Sequence, residues 1–358
     1  MKNWRIIRRT EPLEWGSFAI FLLAFGVSLA VCAFLLHLQG KDGFTGVGYL
    51  LEGGFGSRYS LEDTLLKAIP IFLCSLGVAL CFKLQIWNIG AEGQYVIGTL
   101  GGAYFVLSFP GLPAAVLLPG MFICAALAGA FWALIAAVLR QKWNLNEIIS
   151  TLMLNYIGIN VLKHLIYGSL RDPAGLGFPE SAYFAESARI VAINQEFFGR
   201  LHWGVVTCIV AGALVTFMFK KTRLGYELEA AGANARAARY AGMPYNLLVF
   251  IVMGACGALA GIAGIQESAS GIYRIDPFVP LGYGFTAVVV AWLGRLRTLR
   301  ILFFSLILAG LRVGVENLQI ELQVSDSFAS TLEGFILLMV LAGQFFDSYI
   351  LKRKVKAA

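Results

Sequence analysis

Apolar residues in this chain run in long blocks broken by short polar stretches. Such blocks lie near 17–36, 64–82, 88–109, 114–139, 147–167, 202–219, 247–268, 283–294, 299–318 and 330–350. Most reach the ~20 residues that a helix needs to cross roughly 30 Å of hydrocarbon. The pattern predicts an all-α fold, a polytopic transmembrane helical bundle of about ten spans forming one membrane domain over 1–358. The eighth block is the weakest, because it is short and ends in Arg295, Arg297 and Arg300. Nine spans is the alternative.

Composition supports a membrane solvent: 58% of the 358 residues are hydrophobic and 14% charged, with a mean hydropathy of +0.75. That is too apolar for a water-soluble domain of this size. Orientation follows from the basic residues. With ten spans and the N-terminus inside, six of the 28 Lys and Arg (Lys41, Arg58, Arg171, Arg189, Arg200, Arg274) face outside and three (Lys67, Lys163, Arg312) lie in spans. The remainder are inside, so both termini are expected in the cytoplasm, together with 1–16, the loop 220–246 and the basic tail 351–358. The net charge of +7 is thereby a topology signal, and nucleic-acid binding is not needed to explain it. The first span follows basic residues as a signal peptide would, but its apolar run is too long and lacks a small-x-small site, which predicts an uncleaved anchor. Val31 before Cys32 argues against lipidation. All six cysteines fall in predicted spans and are expected to be packing residues. The long outside connections are 37–63 and 168–201, the second suited to the membrane surface or an external partner.

Polar residues inside the blocks are the candidate chemistry. The stretch "WNIGAEGQ" (87–94) carries Asn88, Glu92 and Gln94. A carboxylate at the bilayer centre costs about 2.5–3.5 kcal/mol on insertion scales, so Glu92 is expected to face a polar cavity or another subunit. Asn88 stands where a helix cap would, and Gly90 and Gly93 allow close backbone approach or a helix that starts within the membrane, tolerated only where it lines a cavity or is buried in protein. The expectation is a half helix lining a pathway with Glu92 inward; the alternative is a capped interfacial helix start with Glu92 near the headgroups. Asn155, Asn160, Lys163, His164, Gln266, Glu267, Arg312, Glu316 and Asn317 are further intramembrane polar positions. From these the candidate substrate path is Asn88, Glu92, Gln94, Asn155, Gln266, Glu267 and Glu316. An Arg312–Glu316 salt bridge at i, i+4 explains that pair equally well. Gly98/Gly102, Gly257/Gly261 and Ala260/Gly264 are small pairs expected to bring helices close.

The cytoplasmic stretch "KKTRLGYELEAAGANARAARYAGMPYN" (220–246) is too polar to span, and 226–240 predicts a helix of about four turns ended by Met243-Pro244. "GYELEAAGANARAARYAGM" resembles the coupling segment of ABC-importer permeases, in the form found in the branch carrying simple sugars, nucleosides and branched-chain amino acids. The matching residues include Glu229, Ala231, Gly232, Asn234, Ala238 and Gly242, with Arg236 in the same segment. Four other blocks are similar to the same family in the same order: "WNIGAEGQYVIGTLGGAYF", "NLNEIISTLMLNYIG", "GALAGIAGIQE" and "GYGFTAVVVAWLGR". The first two most resemble permeases working with purine-nucleoside-binding lipoproteins of the basic-membrane-protein type.

The resemblance implies a nucleoside path opened by alternating access, in a bacterial cytoplasmic (inner) membrane. It implies as partners an ABC ATPase subunit docked on 229–242, a second permease subunit that is a paralogue or another copy, and a substrate-binding lipoprotein, besides membrane lipid. No cofactor is expected in this chain, ATP and Mg being held by the ATPase. The sequence has no GxxxxGK[ST] phosphate loop, HExxH motif or serine elbow, so the expectation is a transport subunit, not an enzyme. A permease for a simple sugar or branched-chain amino acid is the closest alternative, and a secondary transporter or membrane enzyme the more distant ones.

Overall fold

The computed structural model describes residues 4–8, 16–175, 177–194, 196 and 199–353. Their helices are α1 (Gly16–Leu38), α2 (Gly43–Phe55), α3 (Arg58–Lys83), α4 (Ala91–Ser108), α5 (Ala114–Trp143), α6 (Glu147–Tyr167) and α7 (Gly204–Lys221), followed by α8 (Arg223–Ala233), α9 (Ala235–Tyr240), α10 (Tyr245–Ser270), α11 (Tyr283–Leu293), α12 (Thr298–Leu322) and α13 (Asp326–Ser348). A 3₁₀ turn occupies Glu186–Ala188, and β1 (Trp4–Arg8) pairs antiparallel with β2 (Tyr349–Arg353).

Eight of the described helices are long and apolar enough to cross a membrane: α1 from Ala19, α3, α5, α6, α7, α10, α12 and α13 as far as Gly343. The expected third and eighth spans are the difference. The third is α4, whose 18 residues include Glu92, Gln94, Thr99 and four glycines and so fall short in hydropathy. The eighth is α11, 11 residues long, roughly 16 Å at 1.5 Å per residue and therefore half a membrane. Hydropathy therefore sets α4 apart, and length sets α11 apart.

The chain divides into two compact units, Met1–Thr64 with Ala309–Ala358, and Leu65–Leu308; the boundaries fall within α3 and α12. In the first unit α1 packs on α13 and on α2. The expected outer connection 37–63 holds α2, capped by the Asp42 carboxylate accepting from Phe44 N at 3.0 Å. Asn317 donates to the Tyr49 carbonyl at 3.1 Å. Strand β1 joins β2, which brings the two ends of the chain together. Positions 1–3, 9–15 and 354–358, parts of the expected cytoplasmic termini, lie outside the described residues.

The second unit is built on α4, α5 and α10, whose mutual contacts are the densest in the chain. Apolar side chains gain nothing from leaving lipid for a protein interior of equal polarity, so close van der Waals contact has to hold such helices together. The small residues provide it: a side chain at Gly98 would strike the Gly261 backbone, and one at Gly257 would strike the Gly129 carbonyl. The expected small pairs on α4 and α10 thus meet each other and α5. Five of the six free cysteines are buried and the sixth, Cys124, is partly so, as packing residues would be. The connection 168–201, expected outside, is bonded to its own chain. Its described residues run along the end of α10, with Ser181 N bonded to Ile275 O at 3.0 Å, Phe184 N to Tyr273 O at 2.7 Å and Ile190 N to Ala269 O at 2.9 Å.

Gly261→Leu drives a branched side chain into the Ala125 carbonyl and the Gly98 Cα. The expected result is destabilisation of about 1–3 kcal/mol, typical of overpacking, seen as a lower unfolding midpoint of the detergent-purified protein. An unchanged midpoint would refute the tight three-helix contact.

Candidate functional site

The polar residues of "WNIGAEGQ" converge at the start of α4. Asn88, Glu92, Gln94 and Asn155 are each at most 1% exposed. Because the backbone of 84–90 is not helical, its N–H and C=O groups need partners where no water reaches. Side chains provide them. Asn88 Oδ1 accepts from Gly90 N at 2.9 Å and from Gln94 Nε2 at 3.1 Å, while Asn88 Nδ2 donates to Gln94 Oε1 at 3.3 Å and to Cys256 Sγ at 3.2 Å. From α6, Asn155 Oδ1 accepts from Gly93 N and Asn155 Nδ2 donates to Ile89 O, both at 2.8 Å; one turn earlier Thr151 Oγ1 accepts from Ile89 N at 3.3 Å. Asn88 therefore supports Gly90, the residue before α4, instead of capping the first turn as expected.

Glu92 does something the sequence did not reveal. Its carboxylate reaches the start of α11, where Oε1 accepts from Gly282 N at 2.8 Å and Oε2 from Gly284 N at 2.7 Å. Glu92 itself lies in the first turn of α4, so one anion sits at the N-termini of two helices, where unmet N–H groups and both helix dipoles favour negative charge. Charge-assisted bonds of this kind are roughly twice as strong as neutral ones. Gly282 holds a left-handed φ of +81°, and a side chain at Gly284 would strike the Glu92 backbone. Rings close the junction: Trp87 stacks on Trp292 at 5.1 Å and Tyr95 meets Tyr283 edge-on at 6.1 Å. The expectation places Glu92 against a polar cavity or another subunit, and its alternative places it near the headgroups. In this structure it is buried and bonded to protein.

The remaining path candidates do not join this junction. Gln266, 1% exposed, accepts from Thr207 Oγ1 at 2.6 Å through Oε1, while its Nε2 is buried without a hydrogen-bond partner among the described residues. Glu267 follows it in the last turn of α10 and is half-buried. Glu316 lies in the first unit, 3.8 Å from Arg312 Nε, and Arg312 also reaches Glu333 at 3.7 Å. The i, i+4 ion pair expected as an alternative for Glu316 is formed.

The segment 226–240 is two helices, not one. Asn234 leaves the helical region (φ −155°, ψ 100°), ends α8, and caps α9 by accepting from Arg236 N at 3.0 Å and Ala237 N at 3.1 Å. An amide that bonds local backbone this well competes with helix continuation. One edge of the pair is fixed: Leu228, Ala231 and Ala238 are buried, a side chain at Gly232 would strike the Lys83 carbonyl, and Glu229 pairs with Lys83 Nζ at 3.0 Å. The other edge is open, with Tyr240 95% exposed, Arg236 exposed, and Gly242 at φ +77° closing α9. Beside it lies an open cleft of about 1100 Å³ whose walls include Arg140, Asn144, Arg236, Arg239 and Asn246. Among the described residues no three or more His, Cys, Asp or Glu are grouped to hold a metal ion.

Sequence reasoning missed Gly282 and Gly284 as partners of Glu92, Lys83 as the anchor of Glu229, and Thr207 as the partner of Gln266. Thr151 had a signal, standing one turn before Asn155 on the same helix face.

Residues 60–341 match the family described as branched-chain amino acid transport system / permease component. Over 353 residues the chain is 35% identical to a glucose ABC transporter permease protein of Haloferax volcanii, covering 96% of this chain and 91% of that one. It is 30% identical to a guanosine ABC transporter permease protein of Bacillus subtilis, covering 94% and 97%. A nucleoside ABC transporter permease protein of Lactococcus lactis is 28% identical, covering 84% and 83%.

Glu92→Ala leaves the buried Gly284 N–H unmet, at a cost of about 1–3 kcal/mol, and removes the acceptor of the partly buried Gly282 N–H as well. Thermal unfolding in detergent is expected to rank wild type above Glu92→Gln, which keeps one acceptor oxygen, and Glu92→Gln above Glu92→Ala. Equal midpoints for all three would dismiss the double cap.

Proposed function

The chain belongs to the branched-chain amino acid transport system / permease component family, and from that premise we propose that it forms the translocation path for nucleosides in an importer driven by a separate ATPase. At the coarser level it is an ABC transporter permease of the sugar and nucleoside kind, a multi-pass protein of the inner membrane. The nucleoside reading rests on the "WNIGAEGQ" and "NEIISTLMLNYI" blocks, together with relatives named for guanosine and nucleosides. A specific observation favours glucose as the second reading: the relative with 35% identity carries that name. Both cargoes are uncharged and rich in hydroxyls.

The geometry of 223–242 supports the coupling role. A docked ATPase grips the exposed edge at Asn234, Arg236 and Tyr240. The buried edge passes the movement to the end of α3 through the Gly232 contact and the Glu229–Lys83 pair. From Lys83 the chain leads within a few residues to Asn88 and Glu92, so a displacement of α8 and α9 bears on the junction of α4, α6 and α11. Coupling of this kind requires that the ATPase contact differ between two states, which a short rigid helix pair provides. A second permease, identical or paralogous, completes the path, and a binding lipoprotein delivers cargo from outside.

Radiolabelled guanosine uptake by the assembled transporter, with unlabelled guanosine, glucose, ribose or leucine as competitor, decides the cargo. Guanosine alone is expected to compete strongly; competition by glucose alone would reverse the assignment. Gly232→Arg is expected to abolish uptake while the protein still inserts, as measured by membrane-fraction blotting. Wild-type uptake by that variant would contradict the docking role.

A further inference from the structure

Helix α6 differs from its neighbours in what it leaves uncovered. On α5, the exposed residues between Val116 and Phe131 are all apolar, as are those of α7 between Val206 and Phe217. That is what lipid demands. The buried face of α6 is Thr151, Asn155, Gly158, Leu162 and Ile166, the face that holds the α4 junction. Its opposite face exposes Met153, Tyr156, Ile157, Asn160, Lys163, His164 and Tyr167, which recur at three- and four-residue steps on one stripe. The first half of the stripe is apolar and the second half polar.

Asn160 is the informative position. It lies seven residues before the end of α6, about 10 Å into the helix at 1.5 Å per residue. Lys163 and His164 sit close enough to the helix end for their heads to reach the interface. An asparagine side chain is too short for that. Its Nδ2 donates to the Tyr156 carbonyl at 2.7 Å, and on this exposed residue the Oδ1 has no donor among the described residues. An amide oxygen facing hydrocarbon is unfavourable, so this face needs water, a polar solute or another protein chain against it.

The amides expected to meet cargo, Asn88, Gln94 and Asn155, are meanwhile engaged with backbone and with each other. We infer that the outer face of α6 is the wall of the translocation path and that Asn160 is a cargo-contacting residue, hydrogen-bonding a hydroxyl or base edge of an uncharged solute. The second permease closes the opposite wall. The inference rests on the proposed transport role and deepens it. In the orientation set by the basic residues, the polar half of the stripe opens to the outside, and the apolar half, ending at Met153 and Ile149, forms the inner, drier end.

The test compares Asn160→Cys with Leu127→Cys, the latter on the exposed apolar face of α5, in the assembled transporter treated from outside with a membrane-impermeant charged methanethiosulfonate. The Asn160→Cys thiol is expected to label above the wild-type background and to be protected by guanosine or glucose, while Leu127→Cys stays unlabelled. Asn160→Leu is expected to lower uptake about tenfold or more, the equivalent of one lost hydrogen bond, at normal membrane levels, with Asn160→Gln recovering part of it. If Asn160→Cys is as inert as Leu127→Cys, or if Asn160→Leu transports at the wild-type rate, the inference is overturned. Labelling needs no cargo, so a wild type that takes up neither solute counts against the transport reading, while the comparison of the two thiols still decides whether this face is wet.

Discussion

Backbone polar groups inside a membrane must be satisfied by protein, and the arrangement around Glu92 follows from that requirement. Where the chain stops being helical between α3 and α4, and again before α11, N–H and C=O groups are left over that a continuous helix would have paired. Asn88, Thr151 and Asn155 supply partners for the first break, and the Glu92 carboxylate supplies them for the second. Broken elements of this type persist only when the side chains that meet their ends are present together.

That requirement also ties the breaks to each other. One carboxylate in the first turn of α4 holds the N-terminus of α11, and one asparagine of α6 holds both the loop before α4 and its first turn. Three helices and a half-membrane helix thereby share a small set of bonds in a low-dielectric setting, where each bond is strong and each omission expensive. Lys83, at the end of α3, is the near neighbour of this set in the chain, and it is also where α8 rests through Gly232 and Glu229. The helix pair α8 and α9 and the Glu92 junction are therefore separated by a short, well-bonded stretch of chain.

Much of the fold was legible because its signals are local or one-dimensional. Eight apolar blocks became long helices, since about twenty apolar residues in lipid have no other stable form. Gly98, Gly257 and Gly261 were readable as contact positions because only small residues allow backbones to touch. The helix expected to end at Met243-Pro244 ends earlier, at Tyr240, followed by Gly242 at φ +77°. The split at Asn234 was harder: helix propensity over 226–240 is high, and only the side-chain cap on α9 reveals that the amide had a better local option than continuing the turn. The connection 168–201, expected at the membrane surface or against an external partner, has a backbone that pairs with residues 269–275, which no local signal in its charges and prolines indicates.

By itself, the sequence determined the solvent, the helical class and the family of this protein, because hydropathy, segment length and the order of the quoted blocks can be read along the chain without knowing its contacts. The partners of its polar residues were decided by the tertiary structure alone. A buried carboxylate or amide is equally consistent with cargo contact and with backbone support until its partner is known, and here the partners of Glu92 lie 190 and 192 positions away. Which face of α6 is covered depended in the same way on α4, and no periodicity within α6 distinguishes Asn155, held inside, from Asn160, left outside.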